Sequence, residues 1–166
     1  MEETIARILE NSTFTNTELL NQLLRKCIHI SNDSTVSTYA IHDNLVFKID
    51  TFFKNLGSLA NQYGKNRNYQ AVSELLENIL TELGLETDKK ECFLFYHLRD
   101  LGKFRKREED MHQELKVLWK SYPEFEMDDL DFSYSLKNLM RSRLIGYRRG
   151  KITLNPSVII RYRTRG

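Results

Sequence analysis

Between Tyr134 and Lys151 the chain carries side chains suited to one chemistry, the recognition of a polyanion. Tyr134, Lys137, Asn138 and Arg141 recur at helical spacing on one side of a repeat. Phe132, Leu136, Leu139, Met140 and Leu144 fill the other side. An asparagine amide and an arginine guanidinium can each make two hydrogen bonds to a base edge, so Asn138 and Arg141 are the candidate base readers. Arg148, Arg149 and Lys151 follow around a glycine and suit phosphate oxygens. Arg161, Arg163 and Arg165 add attraction that depends on charge alone. The charge division is sharp. Nine basic and no acidic residues run from Phe132 to the end, while sixteen basic and twenty-three acidic residues precede it, so +9 follows −7. The overall +2 conceals this.

Other residue pairs could do different chemistry. Arg107 and His112 stand five apart, a cation and a titratable base at one end of an expected helix. Glu124, Glu126, Asp128, Asp129 and Asp131 form an acidic run. It lacks the glycine and closing glutamate of a calcium loop, so it is read as stabilising the positive end of the helix that follows. Cys27 and Cys92 are the two cysteines, each among apolar neighbours, and His29 and His42 have no thiol or carboxylate at ligand spacing. No metal or other cofactor is therefore expected. Nucleophile triads, Walker motifs and glycine-rich dinucleotide loops do not occur, and the expected function is non-enzymatic.

The elements that must position these residues are mostly helices. Ile5, Ile8 and Leu9 mark a first helix that fades at Asn11-Ser12. Thr15 to Glu18 reads as a capping box for a second, with Leu19, Leu20, Leu23, Leu24 and Cys27 inward. Ser31 to Ser34 is a loop, and Val36 to Tyr63 keeps a helical spacing that should break near Gly57. Gly64-Lys65-Asn66 turns the chain into a helix from Tyr69 to Leu83 that Gly84 ends. Glu86 to Lys90 is the expected boundary between a helical bundle over 1–86 and a second unit over 87–166. In the second unit, Cys92 to Leu98 is a buried helix, Lys103 to Arg107 a solvated turn, and Met111 to Trp119 a helix stopping before Tyr122-Pro123. The last helix is ended by Gly146, Arg149-Gly150 turns a hairpin, and Asn155-Pro156 closes it.

This ending resembles the last helix and wing of a winged helix-turn-helix domain. The residues that carry the likeness are Leu136, Leu139, Leu144, Ile145, Arg148, Arg149, Gly150, Lys151, Ile152, Leu154 and Pro156. It extends over about a third of the chain when the preceding helix is included. The resemblance implies a helix in the major groove and a wing flanking the phosphate backbone. Leu59 to Ile79 resembles a single tetratricopeptide-type hairpin, and stacked repeats need about three copies, so a plain helical hairpin is expected. Arg107 and His112 resemble the R-x4-H motif of the helical HEPN ribonucleases, which implies RNA cleavage as a distant alternative.

The chain is thus expected to be mainly α-helical, an N-terminal bundle joined to a winged-helix unit with a small β-hairpin. At 166 residues, 40% hydrophobic and 29% charged, it can bury a core. The acidic, amphipathic start carries no secretory signal and no apolar run crosses a bilayer, which points to a cytoplasmic protein without a membrane partner. The expected partner is DNA, for transcription regulation or DNA maintenance, with RNA as a second polyanion. The alternative is a protein-assembly subunit, with self-association or partner binding through residues 35–84.

Overall fold

The computed structural model describes residues 1–31, 44–60, 68–102 and 104–161, and the protein is mainly helical with two small antiparallel sheets. Helix α1 spans Glu2–Glu10 and buries Ile5 and Ile8. Helix α2, Thr17–Cys27, is capped by Asn16, whose side chain accepts from the Leu19 N–H. The expected cap at Thr15 lies one residue too early: Asn16 is a strong cap by its own chemistry and sits next to the first helical residue.

Residues 44–47 depart from the sequence reading, which placed them in a long helix, and a strand over 28–31 takes in Ser31, read as the start of a loop. Ile28–Ser31 forms β1 and Asn44–Phe47 forms β2, paired in antiparallel register with Ile28 opposite Phe47. Leu45 and Phe47 are buried with Val46 turned the other way, an alternation of period two that a four-residue strand shows too briefly to outweigh a helical reading. Val36, Ala40, Ile41, His42, Gln62, Tyr63 and the turn Gly64-Lys65-Asn66 lie outside the described residues. The expected break appears between α3 (Ile49–Asn55) and α4 (Gly57–Ala60).

Helix α5, Asn68–Glu82, ends where Gly84 takes φ +82°, a conformation that costs a side-chain-bearing residue about 1–2 kcal/mol. Helix α6, Lys89–His97, is capped by Asp88 accepting from the Glu91 N–H and buries Cys92 to Tyr96 without interruption. It packs on α5 and on α8, so it is wrapped on several sides, which is why its sequence is apolar all round. A 3-10 turn follows over Leu98–Gly102. Phe93 stacks on Phe125 with centroids 4.4 Å apart and meets Tyr69 at 4.9 Å, joining the middle of the chain to the turn before the last helix.

Strand β3 is Lys106–Arg107, within the stretch expected to be a solvated turn. Helix α7 is Glu108–Trp119 and buries Met111, Leu115 and Trp119. Helix α8, Asp129–Arg141, is capped by Asp128 accepting from the Asp131 N–H. Strands β4 (Ile145–Arg148) and β5 (Lys151–Leu154) form the expected hairpin, and β3 adds to it, so the sheet order is β3-β5-β4. Val158–Arg161 forms β6, which pairs with β2 to complete the order β1-β2-β6. The chain after the hairpin, read from sequence only for the charge of Arg161, Arg163 and Arg165, therefore enters the sheet of the N-terminal half through β6, with Val158 buried opposite Phe47. One buried core runs through both halves.

The end of α8 is also corrected. Gly146 does not stop it; Arg141 is its last residue and Arg143 takes the left-handed conformation, φ 60°. The Leu144 N–H donates to Leu139 O at 3.1 Å and the Arg143 N–H to Met140 O at 3.0 Å, a Schellman ending that packs buried Leu144 beside buried Leu139. Gly146 instead sits in β4, where a Cβ would meet Thr153 Oγ1 at 2.9 Å and Asn155 Oδ1 at 3.3 Å. Close cross-strand approach is what requires glycine there.

Candidate nucleic-acid interface

Helix α8 and the β4-β5 hairpin hold seven of the ten residues singled out from sequence. On α8, Phe132, Ser135, Leu136 and Leu139 form the buried face. Tyr134 is 63% exposed, and Lys137 and Arg141 are exposed, so these three project outward as expected. Asn138 does not join them. Its Nδ2 donates to Glu91 Oε2 at 2.7 Å and to the Glu86 carbonyl at 3.1 Å, tying α8 to the start of α6. On the helical wheel it lies at the margin of the exposed arc, where a neighbouring helix decides which way a short amide turns. Burial pushes the Glu91 carboxyl above its ordinary value, while the Asn138 hydrogen bond pulls the other way. The amide thus serves a buried carboxylate and its donors are taken.

The hairpin turn is built by Arg149 and Gly150, both with positive φ, 53° and 74°. Two consecutive left-handed residues match the twist of the flanking strands. Arg148 and Lys151 face each other across this turn, and Lys151 is in turn opposite Arg107 of β3. Directly opposed residues project from the same side of a sheet, so Arg148, Lys151 and Arg107 make one cationic row across three strands. All three are exposed. The alternate residues Ile145, Ile152 and Leu154 are buried against the helices. Lys106, one residue before Arg107, turns to that inner side and its Nζ lies 2.7 Å from Glu114 Oε1 on α7. Glu114 also accepts from the His97 ring at 3.1 Å, and the Lys106 ammonium holds its carboxyl below the ordinary range.

Lys137, Arg141, Arg143, Arg148, Arg149 and Lys151 make no ion pair with a described carboxylate; the ion pairs among the described residues join residues from Glu2 to Asp129. Arg161 is described by its backbone, opposite Asn44 at the end of β6. Arg163 and Arg165 lie outside the described residues. The role of Arg107 in this row could not be read from its neighbourhood in sequence. Two residues show no period, and the strand exists because β5 is there to pair with it.

A groove runs between the hairpin turn and the starts of α7 and α8, bordered by Arg107, His112, Asp129, Ser133, Tyr147 and Gly150. It brings Arg107 and His112 to one place. The His112 ring is stacked on Phe132 with centroids 4.2 Å apart and planes 7° from parallel, and its buried Nε2 makes no hydrogen bond. Asp129 Oδ1 stands 3.6 Å from that nitrogen and 3.8 Å from Lys116 Nζ, so the acidic run leans toward α7 as well as capping α8. Burial lowers the His112 pKa from its ordinary value, against the nearby Asp129 carboxylate, which pulls it the other way. Among the described residues no cluster of three metal-ligating side chains occurs, and no helix is long and apolar enough to cross a membrane. In comparisons with known proteins the chain matches no family model, no curated protein and no solved structure.

Proposed function

We propose that residues from Lys89 to Leu154 work as a winged-helix unit that binds double-stranded DNA without catalysing a reaction. The observation that carries this reading is the set of six cations on α8, its end and the hairpin, which form no ion pair with a described carboxylate of their own chain. A surface that concentrates one sign of charge without internal compensation attracts the opposite sign. The element order α6-β3-α7-α8-β4-β5, with the sheet arranged β3-β5-β4, supports the winged-helix assignment, because two helices precede a third whose hairpin folds back beside it. Arg148, Arg149 and Lys151 contact phosphate from the wing, while Tyr134, Lys137 and Arg141 face the duplex from α8. Arg161, Arg163 and Arg165 supply further attraction.

The test is a salt titration with random duplex DNA followed by fluorescence anisotropy. Each phosphate contact contributes about 0.9 to the slope of log affinity against log salt, so Arg148→Ala with Arg149→Ala should flatten the slope by nearly two units. Absence of binding at 50 mM salt would overturn the proposal.

A protein-assembly role is the second reading, favoured by one observation. Leu130 on α8 is 78% exposed and Val117 on α7 67% exposed, both on the helix pair linked by Lys116 and Asp129. Sedimentation of the purified chain over a range of concentrations distinguishes a self-associating protein from a monomeric DNA binder.

A further inference from the structure

We propose that the outer face of the β3-β5-β4 sheet is a phosphate-backbone clamp for duplex DNA, with Arg107 as its third cation, and that it binds without reading base sequence. This rests on the nucleic-acid reading above and narrows it to one surface. Arg148, Lys151 and Arg107 are paired in register across three strands. Like charges directly opposite one another disfavour a sheet, and here two such pairs share a lysine. The fold neutralises the lysine beside them, Lys106, with Glu114. Arg107, Lys151 and Arg148 form no ion pair with a described carboxylate, although Glu108, Glu109 and Asp129 line the groove beside Arg107. Strand alternation has thus sorted the basic residues of this sheet into one held internally and three presented to solvent.

The dimensions suit a nucleic-acid strand. Neighbouring strands lie about 4.8 Å apart, so the row spans about 10 Å. Phosphates on one DNA strand advance about 3.4 Å each along the axis while turning about it, so they stand roughly 7 Å apart along the backbone and about two fall beside that row. Arg149 extends the row at the hairpin turn, making four cations in all.

Helix α8, by contrast, is poorly equipped to read bases. Asn138 spends its amide on Glu91 and the Glu86 carbonyl. The first turn presents exposed Asp129, Leu130 and Asp131, whose carboxylates would meet phosphate repulsively. Only Lys137 and Arg141 remain outward among its cations, and both stand in the later turns of the helix. Attachment through the sheet face leaves base edges untouched, and charge then sets affinity.

The experiment is anisotropy with two 20-base-pair duplexes of unrelated sequence, from 50 to 200 mM salt, with phosphatidylserine vesicles as a third ligand. The wild-type chain should bind both duplexes equally to within about twofold. Arg107→Ala and Lys151→Ala should each flatten the slope by about 0.9, equally on both duplexes, which is about a 3.5-fold smaller loss of affinity across that salt range. Lys106→Ala, on the inner side, should leave the slope unchanged; circular dichroism checks that each variant is folded. If the wild type binds DNA but the row variants keep its slope, the clamp is refuted while the nucleic-acid reading survives. A tenfold preference for one duplex refutes sequence-independent binding. Failure to bind either duplex at 50 mM, or binding to vesicles alone, overturns both readings.

Discussion

Replacing Asn138 separates a structural amide from a base-reading one. Asn138 Nδ2 donates to Glu91 Oε2 at 2.7 Å and to Glu86 O at 3.1 Å, and Glu91 is only 5% exposed. Asn138→Ala removes a charge-assisted hydrogen bond, worth about 1.5–3 kcal/mol, and a neutral one worth about 1 kcal/mol. Water entering at the partly exposed helix margin recovers some of this, so the expected loss at pH 7.5 is about 2–3 kcal/mol. The sign of the pH dependence follows from Glu91. Burial raises its folded pKa above the ordinary carboxyl value of 4.5, so its contribution to stability is full at low pH and declines as pH rises through the folded value. Removing the Asn138 bond, which favours the charged form, raises that folded pKa further and deepens the decline. The variant should therefore lose clearly less stability at pH 5 than at pH 7.5. Urea unfolding followed by the fluorescence of Trp119, the single tryptophan, buried at 3% exposure, measures both values. A loss below about 0.5 kcal/mol at pH 7.5, typical of a surface position, would refute the argument. So would an equal loss at the two pH values.

Three further outcomes follow from the geometry. Phe93→Ala should cost about 3–5 kcal/mol in urea unfolding, because the ring stacks on Phe125 and meets Tyr69 in the common core. Gly146→Ala should lower stability by about 1–3 kcal/mol as its Cβ meets Thr153 Oγ1, and Thr153→Ala in the same chain should recover most of that in a thermal melt. Burial holds the folded pKa of both His97 and His112 below the ordinary 6.5. The unfolded chain then takes up protons first, so stability should begin to fall as pH drops through 6.5 and continue down to the folded values, and His112→Phe should lessen that fall in unfolding measured between pH 7.5 and 5.

Much of the helical architecture was legible because its signals are local. The buried face of α8, the acidic run at its start, the stop at Gly84 and the Arg149-Gly150 turn each depend on residues within a few positions of one another. The wall of apolar side chains from Cys92 to Tyr96 announced a buried helix without naming what covers it. Arg148, Arg149 and Lys151 were placed on a hairpin from the same kind of evidence. Arg143 was harder: a Schellman ending normally carries glycine, and with arginine in that place the later Gly146 drew the helix end three residues too far.

What the amino-acid order determined alone was the division of charge at Phe132, the helix faces and the turn of the hairpin, since periodicity and residue conformational preference act over single turns of chain. Tertiary structure decided the rest. Strands β1, β2, β3 and β6 are two to four residues long and exist through partners that can lie more than a hundred residues away, as where Phe47 lies opposite Val158. Packing of α6 against α8 turned Asn138 inward to Glu91, although its position on the wheel allowed either direction. Pairing with Lys151 moved Arg107 from a turn into a cationic row. Hydrogen bonds between distant strands and the direction of a side chain at a helix margin are set by what stands opposite, which no local stretch of sequence contains.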